Sequence, residues 1–188
     1  LYEQSGLLIA QIAGLKLRKV TQSHFISYDF SLNHLYYTEW SPIPLKTLPQ
    51  QKIPDLLVIT KNPGKAKEIL DGLNYKLVER IDGCTNIEHS NIVFLYEQGQ
   101  FHDLFHCCQI LFRLRPKRFI LVTEHAYAIQ DHDQVNPYHT MACSFWKSFR
   151  NEYELNKNYA IDLDSRSHLA TALMYLFNTD THDTQIAV

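Results

Sequence analysis

From Asp55 onward, short apolar runs alternate with amphipathic stretches, and this alternation constrains the fold more than any other feature of the sequence. Arg118–Thr123 is almost continuously apolar, as a parallel strand covered on both faces requires. The stretch before it repeats apolar residues at helical spacing from Phe101 and stops before Pro116. The sequence therefore predicts an α/β fold: a Rossmann-like, mainly parallel sheet flanked by helices, with right-handed crossovers.

The same patterns place the individual elements of this layer. Asn62 is expected to cap the first helix, with Pro63 at its first position. The predicted strands are Leu56–Ile59, Lys76–Glu79, Asn91–Tyr96, Arg118–Thr123, Tyr159–Leu163 and Gln185–Val188, and the predicted helices are Gly64–Leu73, 101–115, Tyr138–Leu155 and Ser165–Phe177.

The residues before Asp55 have a different character. Two apolar runs punctuated by Gly6 and Gly14 predict a β hairpin that has too little to bury by itself. Leu35–Trp40 is a predicted strand, stopped by the prolines that follow. The first residue is Leu and the last four are strand-like, so we expect the chain to be cut from a longer protein. The expected organisation is a hairpin segment at 1–20, a linker at 21–34 and an α/β domain at 35–188.

Composition limits the kinds of partner. The chain has 188 residues, of which 45% are apolar, enough for one domain with an adequate core. Eighteen basic and twenty acidic residues give a net charge of -2, which favours neither nucleic acid nor a membrane surface as partner. The apolar runs are too short to span a bilayer, and no leader pattern opens the chain, so a cytoplasmic protein is expected.

Four cysteines are present without a CxxC pair. Three of them fall inside predicted helices among apolar neighbours, which indicates reduced core thiols rather than a metal site or disulfide framework. Adjacent cysteines on a helix also point about 100° apart, so a bridge between them would distort the backbone. The four are Cys84, Cys107, Cys108 and Cys143.

Four stretches, in order, resemble successive parts of a reducing module of a type I modular polyketide synthase. Gly6–Val20 is similar to the last strands of a dehydratase domain, and Leu35–Pro44 to the strand that opens the ketoreductase region. Phe119–Asp164 resembles the non-catalytic, structural subdomain of the ketoreductase, and Gln185–Val188 the strand that crosses into its catalytic subdomain. The residues that carry the main resemblance are Leu121–Thr123, Trp146, Arg150, Glu152 and Asp162–Asp164.

The resemblance implies a truncated Rossmann-like subdomain that braces a catalytic partner. For the parent synthase it implies NADPH and a phosphopantetheine-bound acyl chain on a carrier protein, and for this chain no catalytic, cofactor-binding or metal-binding residue. The sequence departs from the family at Lys147–Phe149, where small residues are common, and at Tyr153–Glu154, where His-Pro is common. A type I fatty acid synthase has the same organisation.

The residues agree with an absence of reductase chemistry. NADPH binding needs glycines that let backbone N–H groups reach a pyrophosphate, yet all six glycines are isolated. The one strand-to-helix turn with a glycine is Thr60–Lys65, where Pro63 removes an N–H donor, so a plain helix cap is expected there. Tyr153 and Lys157 have the Tyr-x-x-x-Lys spacing of short-chain reductases, but they fall at a helix end without a preceding cofactor turn.

Histidines and aromatic residues are the remaining candidates. His102 and His106 share a predicted helix face at metal-ligand spacing, but Asp103 points elsewhere and three other histidines fall in or near a polar loop. A solvated or partly packed face is therefore expected rather than a metal site. At least three of four aromatic residues are expected in the core or at a subdomain interface. The loop histidines are His125, His132 and His139, and the aromatic residues are Trp40, Phe145, Trp146 and Phe149.

Two alternatives remain open from the sequence. One is a stand-alone degenerate Rossmann-like nucleotide-binding or reductase domain that uses Tyr153 and Lys157. The other is a free-standing α/β interaction or regulatory domain, which would require the natural chain to stop near Val188.

Overall fold

The computed structural model describes residues 40, 53–82, 84, 87, 90–130, 132–152, 157–164, 169–179 and 185–188. The predicted hairpin, the linker and the strand at Leu35–Trp40 lie outside these residues, apart from Trp40, which is partly buried and belongs to no strand. Contacts divide the chain into the units Leu1–Ser41 and Pro42–Val188, and all the helices and strands described lie in the second unit.

Six strands and four helices make up the described α/β domain. All six strands and all four helices occur where the sequence pattern predicts them, with shifts of a few residues at several ends. The predicted helix end at Leu155 and the predicted helix start at Ser165 lie outside the described residues. The strands are β1 Leu56–Ile59, β2 Tyr75–Val78, β3 Asn91–Leu95, β4 Arg118–Glu124, β5 Asn158–Leu163 and β6 Gln185–Ala187. The helices are α1 Pro63–Ile69, α2 Phe101–Leu114, α3 Pro137–Glu152 and α4 Leu169–Asn178.

The strands form one sheet in the order β2-β1-β3-β4-β5-β6, and every pair is parallel. In the centre, Val58 lies beside Leu77 on one side and Val93 on the other. All residues of β3 and β5 are buried, because helices cover both faces of the sheet. The α/β class and the Rossmann-like parallel sheet are therefore confirmed.

Each face of the sheet has its own apolar core, and the pleat directs alternate residues to the two sides. On one face, Ile120 and Ile161 pack under α1 and α4. On the other face, Phe94 and Leu121 pack under α2 and α3, where Trp146 is fully buried. Burying each such side chain contributes about 1.5 to 3 kcal/mol, so these two cores are the main source of stability.

The positions of the helices fix the hand of each crossover. The connection through α1 runs from β1 to β2 on one face, whereas those through α2 and α3 run in the opposite direction on the other face, so the three share one hand. The β5-α4-β6 connection runs in the same direction as the α2 and α3 connections but lies on the α1 face. Uniform right-handed crossovers were therefore a wrong prediction for this last unit.

Candidate functional site

The carboxyl ends of β1 and β3 are a candidate ligand site, because the connections leave these neighbouring strands for opposite faces of the sheet. Ligands of open α/β sheets bind in the crevice that such a divergence creates. Here the loop after β1 leads to α1 and the loop after β3 leads to α2. The residues that enter this crevice therefore decide whether a nucleotide can bind.

Lys65 on α1 fills this region with a charged side chain. Its Nζ lies 2.8 Å from Oε1 of Glu124, at the end of β4, and 3.8 Å from Oε1 of Glu97, just after β3. The Lys65 side chain is only 11% exposed, which places the ammonium under the rim of the crevice. Lys61 and Asp103 form a second, more exposed ion pair between the β1 loop and α2. The crevice is thus bridged by the protein's own charges.

The turn that enters α1 has the form of a helix cap. Asn62 Oδ1 accepts a hydrogen bond from the Lys65 backbone N–H at 3.0 Å, and Pro63 occupies the first turn. Thr60 Oγ1 in turn accepts from the Asn62 backbone N–H at 3.0 Å. The predicted cap is confirmed, and one of the few N–H groups at this helix end is committed to the Asn62 side chain.

His139 and Tyr96 are buried next to Glu124, the carboxylate of this ion pair. The His139 ring meets the Tyr96 ring edge to face, with centroids 5.1 Å apart, and both residues are buried. His139 Nδ1 accepts a hydrogen bond from the Glu124 backbone N–H at 2.9 Å, so the neutral ring carries its proton on Nε2. His139 lies next to the polar loop, as predicted, in the first turn of α3, and its side chain is buried, which the sequence did not indicate.

Because His139 is buried, its protonation makes the stability of the protein depend on pH. Desolvation lowers the pKa of His139 below its ordinary 6.5, so the unfolded chain takes up a proton at a higher pH than the folded protein. The contribution of the neutral, buried His139 to the free energy of unfolding is fully present above about pH 6.5 and is lost as the pH falls below that value. The charged neighbours that also act on the ring are Glu124, Lys65, Asp162 and His125.

We expect wild type to lose more free energy of unfolding between about pH 7.5 and about pH 5.5 than a His139→Gln variant, which does not titrate there. Urea unfolding of both proteins at the two pH values measures this difference. Equal losses in the two proteins would contradict a buried, neutral His139.

Asp162 organises the loop that follows β4. Its buried carboxylate accepts hydrogen bonds from Thr123 Oγ1 at 2.8 Å, from the Ala126 N–H at 2.9 Å and from the Tyr127 N–H at 3.0 Å. A buried carboxylate that accepts several hydrogen bonds is held in place as a structural anchor. Asp162 is therefore committed to the fold of the loop, although it stands at the ligand-binding edge of the sheet.

The other residues of the resemblance also make packing contacts. Trp146 lies in the core under the sheet, and the Arg150 guanidinium lies 5.9 Å from the centroid of its ring. Lys147, where the family has small residues, places its ammonium 5.0 Å from the centroid of the Tyr127 ring. Phe149 is buried, and Phe145 packs partly buried against the same core. Three of the four aromatic residues are thus in the core or at its edge, as predicted.

The two histidines on α2 have different surroundings: His102 is exposed to solvent, and His106 contacts a carboxylate. His106 Nε2 lies 2.6 Å from Asp82 Oδ1, and Arg80 Nε lies 2.8 Å from Asp82 Oδ2. The His106 hydrogen bond is the main reason that the pKa of Asp82 falls below its ordinary value. His102 is exposed, and Asp103 pairs with Lys61 instead. Within the part of the chain that the structure describes, no group of three His, Cys, Asp or Glu side chains is arranged to hold a metal ion.

All four cysteines are free; three are buried, as predicted for core thiols, whereas Cys84 is only partly buried against the same core. Cys107 and Cys108 lie on α2, and Cys143 lies on α3. Burial raises the pKa of Cys108 to about 12, so its thiol is inert near neutral pH.

Lys157 lies at the wrong edge of the sheet for a catalytic role. Its carbonyl accepts a hydrogen bond from the Phe119 N–H at 3.0 Å, beside the amino end of β5. Ligands of open α/β sheets bind at the opposite, carboxyl edge. Tyr153, the other member of the predicted pair, lies outside the described residues.

A row of aromatic side chains runs along α2 and α3, from the core under the two helices to the surface. Phe145 contacts Phe101 and Phe105 across the two helices, with ring centroids 5.2 and 5.7 Å apart, and lies 6.4 Å from Phe149. Phe105 is 41% exposed, and Phe112, two turns further along α2, is 43% exposed. We call these five residues the aromatic stripe. Phe105 and Phe112 are its exposed members, and exposed apolar side chains that continue a packed cluster mark a surface suited to contact with another protein.

The sequence matches no protein-family model and no curated protein. Among the described residues, no helix combines the length and the apolar character needed to cross a bilayer.

Proposed function

We propose that this chain is the non-catalytic structural subdomain of a ketoreductase in a type I polyketide synthase, and that it braces the NADPH-dependent catalytic subdomain. The observation that carries the proposal is the aromatic stripe, whose exposed members Phe105 and Phe112 lie on α2 of a Rossmann-like layer. A bracing domain needs such a rigid apolar face, because association energy comes mainly from a few large, well-packed side chains.

The state of the β1/β3 crevice supports the same role. Lys65, Glu97 and Glu124 occupy the place where a Rossmann-like domain binds its cofactor, and the cap of α1 lacks a glycine turn. A dinucleotide would have to displace an ion pair that is mostly shielded from water, and would leave two carboxylates facing its phosphates. This supports a scaffold role for the chain, in which the partner subdomain binds the cofactor.

Several of the residues that carry the resemblance have structural contacts here. Thr123 and Asp162 hold the β4 loop, and Trp146 fills the core with Arg150 against its ring. A set of residues that defines packing and loop shape fits a scaffold better than a reaction centre. The stand-alone reductase alternative is not favoured, because Lys157 lies at the amino edge of the sheet.

An NADPH titration of the isolated chain tests this division of labour. We expect no saturable change in nucleotide fluorescence, which corresponds to a dissociation constant weaker than about 1 mM. We also expect no reduction of a β-ketothioester by the chain alone. Micromolar binding of NADPH, or turnover of the thioester, would refute the non-catalytic assignment.

A further inference from the structure

The β5-α4-β6 connection has the opposite hand to the connections through α1, α2 and α3. It therefore creates a second pair of neighbouring strands whose connections leave for opposite faces of the sheet. The loop after β4 leads to α3 on one face, whereas the chain after β5 leads to α4 on the other face. A crevice forms wherever neighbouring connections part in this way, for the same geometric reason as at β1 and β3. Among the described elements there are thus two such places, and the ion pairs seen in this part of the chain bridge the first of them.

The second crevice is open and of ligand size. It has a volume of about 640 Å³ and lies at the carboxyl ends of β4, β5 and β6. Its walls come from residues of the loop after β4, from the end of β5 at Asp162–Asp164 and from Ala187 and Val188. The loop residues are His125, Tyr127, Ile129, Gln130 and His132–Asn136. Small-molecule sites usually have volumes of about 300 to 1,000 Å³, so this crevice has the right scale.

The walls combine apolar side chains with negative charge. Ile129 is 45% exposed and Val135 is 42% exposed, although both line a concave surface. Three carboxylates line the same crevice, Asp133, Asp162 and Asp164, and its described lining includes neither Lys nor Arg.

The loop that carries the apolar side chains is held by its own hydrogen bonds. Asp133 Oδ2 accepts from the Ile129 N–H at 2.9 Å and from the Gln130 N–H at 2.8 Å. These bonds lower the pKa of Asp133, which keeps it charged at neutral pH. On the far side, Gln185 Nε2 donates to the Tyr127 hydroxyl at 2.7 Å and ties the loop to β6. The crevice is therefore largely formed before a ligand arrives.

Nearby cations do not cancel this charge. The Lys147 ammonium lies against the Tyr127 ring from α3, at 5.0 Å from its centroid. His125 and His132 line the crevice themselves and act on Asp133 as positive neighbours when they carry a proton. Counted with neutral histidines, three carboxylates against one lysine leave the described surroundings of the crevice negative. Such a surface attracts a cation and repels a carboxylate or a phosphate.

The geometry points to a second binding site between the β4 loop and the end of β5, for a small organic amine with an apolar body. Ile129 and Val135 contact the apolar body, and Asp133 pairs with the ammonium group. This site is separate from the aromatic stripe and from the β1/β3 crevice, so it does not depend on the proposed bracing role.

Three probes of similar size and different charge test the site: phenethylamine, 2-phenylethanol and phenylacetate. We expect saturable backbone amide shifts at Ile129 and Val135 in the ¹⁵N-labelled protein with phenethylamine. The neutral alcohol should bind about tenfold more weakly or worse, and the anion should not bind, because a hydrogen bond to a charged group contributes about 1.5 to 3 kcal/mol. Absence of shifts with the amine, or equal binding of the anion, would overturn the site.

Asp133→Asn is the informative variant, because its side-chain oxygen still accepts from the loop N–H groups while the charge is removed. We expect it to weaken phenethylamine binding about tenfold. Asp71→Asn, at an exposed position in the turn after α1, should leave the affinity unchanged. The amide spectra of both variants report whether the fold is intact. Unchanged affinity in Asp133→Asn would assign the shifts to non-specific contact and end the proposal.

Discussion

Replacing Phe105 and Phe112 together by Asp is expected to weaken the association of this chain with the ketoreductase catalytic subdomain by at least about 30-fold. Both side chains stand exposed on the aromatic stripe, so the changes alter the surface while the core under α2 is kept. Loss of one central aromatic contact in an interface costs about 2 kcal/mol or more, and a buried unpaired carboxylate adds to that cost. Titration calorimetry of the two subdomains, expressed as separate polypeptides, measures the change.

Met174→Asp is the matched control for this prediction. Met174 is also an exposed apolar side chain, at 36%, but it lies on α4, which packs on the opposite face of the sheet. We expect its affinity for the catalytic subdomain to equal that of wild type. Equal losses from α2 and α4 variants would place the interface elsewhere, and an undiminished affinity in the Phe105/Phe112 variant would exclude the stripe as the bracing surface.

Asp162→Ala is expected to lower the free energy of unfolding by about 3 to 4 kcal/mol. The change leaves the Ala126 and Tyr127 N–H groups and the Thr123 hydroxyl without their acceptor in a buried place. Each unsatisfied buried donor costs about 1 to 3 kcal/mol, although the Thr123 hydroxyl still has the Ile161 carbonyl within 3.5 Å. Urea unfolding, with the midpoint and the slope compared to wild type, gives the loss.

Two other aspartate variants make this measurement specific. Asp162→Asn keeps one acceptor oxygen and should lose less than Asp162→Ala. Asp164→Ala removes an exposed carboxylate two residues further along the same strand end, and its effect should stay within about 0.5 kcal/mol. A loss of less than about 1 kcal/mol in Asp162→Ala would show that the loop does not depend on this carboxylate.

The helices and strands of the α/β domain could be predicted from the sequence, because the sequence signals for each element are local. The continuous apolar run of β4 and the helical spacing in α2 are visible within windows of a few residues, and both elements form where expected. Asn62 and Pro63 likewise mark the start of α1 by local hydrogen bonding and φ restriction. α1 nevertheless ends at Ile69 rather than Leu73, since helix ends depend on weak signals.

Long-range features of the site could not be predicted in this way. Lys65 meets Glu97 and Glu124, which follow different strands, and their proximity depends on the strand order. The face taken by α4 is equally hidden, because β5 is buried on both sides and its sequence favours neither. The open crevice after β4 follows from that face and therefore became visible only in the structure.

The most direct test of the bracing role is to read the source transcript downstream of the codon for Val188. The account predicts that the frame continues into a strand followed by a glycine-rich turn and a helix, and later into the Ser and Tyr of a short-chain reductase active site. The intact mass of the natural protein should then greatly exceed that of this chain. A stop codon after Val188, or a continuation without a nucleotide-binding turn, would contradict the assignment to a ketoreductase.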